Sequence, residues 1–135
     1  MPHFILEYSA NLDDDLDLNG LFKVLRETAI DTGVFALGGV RFRAHRCEHY
    51  LIADGDPDNA FIHLTARIGR RRDPDVRREV GEKLFAALTQ YLDSLYQQRP
   101  LAISFELTEL TFGLSFRKNN IHEKIKREQG AGQTQ

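Results

Sequence analysis

The first residue that could carry out chemistry is Pro2, which follows Met1 and leads directly into an alternating apolar segment. If Met1 is removed, Pro2 becomes the chain terminus and its secondary amine can act as a base. A general base works best when its pKa lies near the working pH, and apolar surroundings or nearby cations lower the pKa of an amine by disfavouring its charged form. Phe4, Phe42 and the arginines can supply both. The alternative interpretation is that Pro2 simply follows the initiator methionine and has no chemical role.

Histidine and cysteine are the other residue types with chemical potential. The chain has five histidines and one cysteine, and it contains neither an HExxH nor a CxxC motif, so we expect no metal site. His45, His49 and His63 fall in segments that predict strands, and we interpret them as structural side chains. Cys47 has no base close in sequence, and we expect a small packed residue there.

A run of arginines lies in the middle of the chain. It consists of Arg70-Arg71-Arg72, followed by Arg77 and Arg78. A nucleic-acid patch is a poor interpretation, because Asp73 and Asp75 interrupt the run and no aromatic residues alternate with it. A solvated helix start, or a cationic rim that attracts a polyanionic substrate, fits the pattern better. We therefore expect no nucleic-acid partner.

Length and composition indicate one compact domain. The chain has 135 residues, of which 41% are hydrophobic, and its formal net charge is −2. A single cysteine cannot form an internal disulfide, which favours a reducing compartment. The start of the chain lacks the basic region and the apolar stretch of a signal peptide, and no apolar run approaches the roughly 20 residues of a membrane span. We expect a cytoplasmic protein that does not enter a membrane.

Four segments alternate between apolar and polar residues and therefore predict β-strands. They cover residues 2–8, 40–54, 60–68 and 101–110. The sequence Asp54-Gly55-Asp56-Pro57-Asp58 is a strong turn signal at the end of the second segment, and it predicts a hairpin between the second and third strands.

Two segments carry apolar residues at helical spacing. The first follows the acidic stretch Asn11–Asn19 and predicts a helix of about 14 residues that ends near Gly33. The second begins at Asp73-Pro74, an N-cap followed by a first-turn proline, and predicts a helix of about 24 residues that stops before Pro100. We expect one domain over residues 1–127, with a short helix in its last part, and a disordered tail over residues 128–135.

The element order is β-α-β followed by β-α-β. Helices that connect strands of one sheet imply parallel pairing and right-handed crossovers within each unit. The predicted fold is therefore an α/β (or α+β) layer in which two helices cover one face of a four-stranded sheet. The other face is uncovered and partly apolar, so we expect self-association.

Several short segments occur in a characteristic order and spacing, together with the proline near the start. These segments are Pro2–Ile5, Gly38–His45, Ala53–Gly55, Phe61–Gly69, Gly81–Phe85, Leu101–Glu106 and Phe116–His122. Through them the chain resembles, over residues 2–126, the tautomerase superfamily and, within it, the 5-carboxymethyl-2-hydroxymuconate isomerase family.

The resemblance implies the β-α-β-β-α-β tautomerase fold in a homotrimer whose sheets enclose a central barrel. The active site would lie at the mature N-terminus near a subunit boundary. The reaction would be a cofactor-free 1,3-proton shift that converts a 2-hydroxydiene di- or tricarboxylic acid into its 2-oxo isomer, in the breakdown of homoprotocatechuate. A different enol or unsaturated acid as substrate, or a non-catalytic trimeric binding module, remains an alternative.

The resemblance also implies roles for individual residues. Pro2 would take the proton from the 2-hydroxyl group and return one to the conjugated carbon. Arg41 matches a family arginine that would bind a substrate carboxylate and the 2-oxo oxygen. Arg72 matches a second family arginine that would hold the far carboxylate, while its neighbours Arg70 and Arg71 leave open which of the three binds. Asn119-Asn120 matches a tail motif that we interpret as a helix cap or subunit contact, with a substrate role left open.

Overall fold

The computed structural model describes residues 2–69 and 73–133 of the chain. In these residues the strands are β1 (His3–Ser9), β2 (Arg41–Cys47), β3 (Ala60–Ile68) and β4 (Leu101–Glu109). The α-helices are α1 (Leu18–Asp31), α2 (Pro74–Tyr91), α3 (Asp93–Gln98) and α4 (Ile121–Gln133), and short 3₁₀ turns occur at Ala10–Leu12 and Leu37–Gly39.

The four strands form one mixed sheet in the order β2-β1-β3-β4. β1 pairs parallel with β2, and β3 pairs parallel with β4, which confirms the parallel pairing predicted within each β-α-β unit. The two units join through antiparallel pairing of β1 with β3. The sheet with its helices is an α+β arrangement, as predicted.

The predicted hairpin between the second and third strands is wrong. β2 ends at Cys47 and lies at the edge of the sheet, and the chain then crosses over residues 48–59 to place β3 on the far side of β1. The turn signal lies inside this crossing loop, where the Asn59 side chain donates to the Ile52 carbonyl at 3.1 Å and to the Asp54 carboxylate at 2.7 Å. A hairpin needs a connection of a few residues, and this loop is long enough to pass over β1.

Both long helices begin at an aspartate cap: Asp73 was predicted as one, and Asp17 lies in the acidic stretch predicted to precede the first helix. The Asp17 carboxylate accepts from the Gly20 amide at 3.1 Å at the start of α1, and the Asp73 carboxylate accepts from the Asp75 amide at 2.8 Å at the start of α2. Gly33 follows α1 with a φ of +74°, the left-handed conformation that favours glycine after a helix. The single helix predicted before Pro100 is divided into α2 and α3, because the backbone at buried Leu92 leaves helical geometry, with φ −89° and ψ 3°.

The core lies between the helices and one face of the sheet. Side chains from β1 and β3 pack there against one side of α1 and of α2, and all of them are fully buried: Phe4, Leu6, Ile62, Leu64, Leu21, Leu25, Leu84 and Leu88. The opposite face bears alternate residues of the same strands, and half-buried Ile5 and Phe61 are apolar side chains on it. We call this second surface the open face.

The last helix differs from the prediction of a disordered tail, because α4 extends through residue 128 to Gln133. Its polar sequence contains good helix formers, and Lys124 and Glu128 form an (i, i+4) ion pair at 3.6 Å. In the part of the chain that the structure describes, none of the helices combines the length and the apolar character needed to cross a membrane.

Candidate active site

Pro2 lies in a cleft at the end of the sheet where β1 begins. The Pro2 side chain is fully buried. The cleft has a volume of about 500 Å³, and its walls come from the segment that precedes β2 and the segment that leads into α4. The other lining residues are Val34, Phe35, Ala36, Gly39, Arg117, Asn119 and His122.

Phe35 connects the cleft to a cluster of aromatic rings. Phe4, two residues after Pro2, stacks on Phe42 with ring centroids 4.5 Å apart and an interplanar angle of 7°. Phe35, which lines the cleft, meets Phe4 edge-on at 6.1 Å. The ring of Phe35 is thus an apolar part of the cleft that Pro2 lines, and apolar surroundings disfavour a charged ammonium group.

The first residue of β1 is surrounded by cations. In the sheet register His3 lies between Arg41 of β2 and Arg67 of β3, and Arg43 Nη1 lies 3.2 Å from His3 Nδ1. Burial lowers the pKa of His3 below its ordinary value of 6.5, and Arg43, Arg41 and Arg67 lower this pKa further. These surroundings favour the neutral imidazole, and three arginines flank His3 at this end of the sheet.

Pro2 and Arg41 lie at the same end of the sheet but on different faces. Phe4 and Phe42 are register partners on the core face, whereas His3 and Arg41 are register partners on the open face. Half-buried Arg41 is accordingly not among the residues that line the Pro2 cleft of this single chain.

Arg72, together with Arg70 and Arg71, lies outside the described residues. The described chain reaches this segment from the end of β3. Because β3 runs antiparallel to β1, with Arg67 opposite His3, that end lies beside the start of β1.

Three cleft residues come from the segment before and at the start of α4. Arg117 and His122 are functional candidates that the sequence reasoning missed, and Asn119 was expected as a helix cap or a subunit contact. The Asn119 Oδ1 accepts from the Ile121 amide at 2.9 Å, which makes it a cap of α4, and its Nδ2 donates to the Gly38 carbonyl at 2.8 Å. Periodicity within the segment Phe116–His122 cannot reveal a contact with Gly38, which is distant in sequence.

Gly38 allows this close approach. A Cβ atom at position 38 would lie 2.6 Å from His122 Nδ1 and 3.1 Å from the His122 Cα, distances that real Cβ atoms do not tolerate without movement of their neighbours. Glycine at this position therefore lets the first turn of α4 pack on the 3₁₀ turn Leu37–Gly39.

The remaining residues with chemical potential lie outside the lining of the Pro2 cleft. His63 Nδ1 is 2.6 Å from Ser104 Oγ on neighbouring strands at the open face, and half-buried Cys47 ends β2. Arg77 forms an ion pair with Glu109, so this arginine fastens α2 to β4. Among residues 2–69 and 73–133, no group of three His, Cys, Asp or Glu side chains is arranged to hold a metal ion.

Comparisons with known proteins match nearly the whole chain to one family. A family model described as 5-carboxymethyl-2-hydroxymuconate isomerase matches residues 2–125. The 5-carboxymethyl-2-hydroxymuconate Delta-isomerase of Escherichia coli is 41% identical over 126 residues, which are 93% of this chain and 100% of that protein.

Solved structures are also similar to this chain. The crystal structure of a 5-carboxymethyl-2-hydroxymuconate isomerase from Deinococcus radiodurans R1 has a TM-score of 0.85 and 36% identity, over 92% of this chain and 93% of that one. A fused 4-OT protein solved as a symmetric trimer is 11% identical, with a TM-score of 0.58 over 86% of this chain and 93% of that chain, and this likeness concerns the fold alone.

Proposed function

The chain belongs to the 5-carboxymethyl-2-hydroxymuconate isomerase family, and from this premise we propose that it converts 5-carboxymethyl-2-hydroxymuconate into its 2-oxo isomer. The observation that carries this proposal is the 41% identity to the Escherichia coli isomerase over that protein's entire length. Isomerisation moves a proton and shifts double bonds without changing the number of atoms or electrons. The reaction therefore consumes no oxidant or reductant, and we propose that it proceeds without a cofactor, as the family resemblance implies.

We propose that Pro2 is the acid and base of this reaction, after removal of Met1 has freed its amine. The neutral nitrogen takes the proton of the 2-hydroxyl group, the oxygen becomes a carbonyl, and the nitrogen then delivers a proton to the conjugated carbon. The burial of Pro2 and the ring of Phe35 in its cleft support this role, because both disfavour the charged amine. The cations around neighbouring His3 act in the same direction.

We propose that Arg41 binds a substrate carboxylate and the 2-oxo oxygen, and that Arg72 holds the far carboxylate. The register pairing of Arg41 with His3, next to Pro2, supports the first role. The second is supported by the course of the chain, which leaves β3 at Gly69 beside the start of β1. A guanidinium fork suits both tasks, since it donates two parallel hydrogen bonds to a carboxylate and stabilises negative charge on an oxygen.

We also propose that the protein is a homotrimer in which the open faces of the sheets enclose a barrel. Half-buried Ile5 and Phe61 on the open face support burial of this surface, and the fused 4-OT protein of the same fold is a symmetric trimer. Arg41, which lies on the open face, would then stand near a subunit boundary. A single cysteine and the family's chemistry support a cytoplasmic role in homoprotocatechuate breakdown.

The experiment that tests this function follows the ultraviolet absorbance of the 5-carboxymethyl-2-hydroxymuconate dienol with and without the protein. We expect the protein to accelerate loss of the dienol, and we expect R41A and R72A to lose about 10²-fold or more of kcat/KM, as removal of a charge-stabilising donor typically causes. The matched control is R26A, since Arg26 is exposed on α1. A wild-type protein that leaves the dienol unchanged but converts another enol in a substrate panel would contradict the assigned substrate.

A further inference from the structure

The segment that leads into α4 forms one wall of the Pro2 cleft and is held in place by specific contacts. The Asn119 side chain joins the Gly38 carbonyl to the Ile121 amide through hydrogen bonds of 2.8 and 2.9 Å. His122 packs against Gly38, which is buried and has no room for a side chain. The residues before α4 are therefore held in position on the turn that precedes β2.

Arg117 is the cation that this wall contributes. It lines the same cleft as Pro2, and it makes no hydrogen bond or ion pair with another residue in the described part of the chain. At the opposite end of the sheet, by contrast, Arg46 is engaged with Asp13 and Arg99 with Asp15. An arginine that faces a cleft without an internal acceptor is available to bind an anion there.

The chemistry of the proposed substrate leaves one anion unassigned. The muconate backbone has two carboxylates, and the carboxymethyl branch adds a third. Arg41 and Arg72 account for two of these groups. A third carboxylate that enters the cleft without a cationic partner would lose part of its hydration without compensation, so a further donor favours its binding.

We propose that Arg117 binds the carboxymethyl carboxylate and thereby selects the three-carboxylate substrate over its two-carboxylate analogue, 2-hydroxymuconate. This inference rests on the proposed isomerase function. Arg117 acts in binding, and proton transfer belongs to Pro2. Its effect is therefore on the specificity ratio, which is kcat/KM for the tricarboxylate divided by kcat/KM for the dicarboxylate.

The test measures the specificity ratio in the wild-type protein and in R117A, R117K and K118A. We expect R117A to lower the ratio by about 10- to 100-fold, mainly through a higher KM for the tricarboxylate, because a hydrogen-bonded charge is lost. R117K keeps the charge without the planar fork and should fall between R117A and the wild type. Lys118 is the matched control, since it is adjacent, exposed and not part of the cleft lining, and K118A should keep the wild-type ratio.

Each outcome bears on the inference. An R117A protein with a wild-type circular dichroism spectrum and an unchanged ratio overturns it, and so does an equal loss of kcat/KM for both compounds, which would assign Arg117 to a carboxylate that they share. A ratio that falls equally in K118A also overturns it, because a general loss of positive charge would then explain the effect. In all these cases turnover by the wild type leaves the proposed function standing, whereas a wild type that converts neither compound overturns both.

Discussion

At the scale of single residues, the surroundings of His3 decide the protonation state next to Pro2. Burial and then Arg43, Arg41 and Arg67 lower the pKa of His3 below 6.5. The imidazole therefore binds its proton more weakly in the folded chain than in the unfolded chain. The same arginines disfavour a charged amine at neighbouring Pro2, which favours its neutral, basic form.

This shift predicts how stability depends on pH. Because the pKa of His3 is lower in the folded state, the unfolded chain binds more protons below about pH 6.5, and the free energy of unfolding falls as the pH decreases through that range. Thermal unfolding of the wild type and of H3Q, measured from about pH 7.5 to about pH 5 across the ordinary histidine pKa, checks this prediction. We expect a smaller decrease in Tm for H3Q. Parallel curves for the two proteins would show that His3 does not contribute.

At the scale of secondary-structure elements, α4 helps to hold one wall of the cleft, a role that its polar sequence does not predict. It begins at a cap formed by Asn119, whose other end bonds to the turn before β2, so one side chain links the end of the chain to the cleft. Loss of this link should loosen the wall of the cleft without disturbing the sheet.

N119A tests this role of α4. We expect the free energy of unfolding to fall by about 1 kcal/mol, the usual net value of a hydrogen bond, and the specificity ratio to fall in the same direction as in R117A. Asn120 is exposed and lines no part of the cleft, which makes N120A the matched control in chemical denaturation and in kinetics. If N119A and N120A have the same specificity ratio as the wild type, the tail does not position Arg117.

Sequence patterns predicted the elements far better than the contacts between them. The helix predicted to end near Gly33 and the strand predicted over residues 60–68 are both present, because each carries its own periodicity and end signals. The hairpin prediction failed because a turn signal such as Asp54–Asp58 defines a local turn and says nothing about which strand lies beside the next one.

The prediction of site residues was limited in the same way, because local patterns do not predict long-range contacts. Pro2 was named from its position after Met1 and from the family resemblance, and Arg41 was named from the resemblance. Arg117 and His122 were missed because they reach the cleft through a long-range contact with the turn at Gly38. Only the folded chain brings these sequence-distant segments together, and no local pattern encodes that meeting.

At the scale of the whole molecule, the open face is the surface that a trimer would bury. Ile5 is half-buried in the single chain, and Arg43 is its register partner on β2. A charge at position 5 would therefore stand beside a like charge inside the proposed barrel, which costs free energy once water is excluded.

I5R tests the trimer directly. We expect the wild type to sediment as a species of three times 15.5 kDa and I5R to shift toward the single chain, because a buried cation beside Arg43 opposes assembly. Val76 is exposed on α2, away from the sheet, and V76R should remain trimeric. Sedimentation of I5R as a trimer, or of the wild type as a single chain, would place the open face outside any interface.

The central claim is that the amine of Pro2 performs the proton transfer, and the most direct test is the rate at which P2A converts the dienol. Mass spectrometry of the intact wild type and of intact P2A first establishes that Met1 has been removed from each. P57A, in the exposed loop, serves as the control. We predict that kcat falls by about 10²- to 10⁴-fold in P2A, the usual contribution of a general acid–base group, while P57A and the oligomeric state remain unchanged. Wild-type turnover by P2A, or by a protein that retains Met1, would contradict the claim.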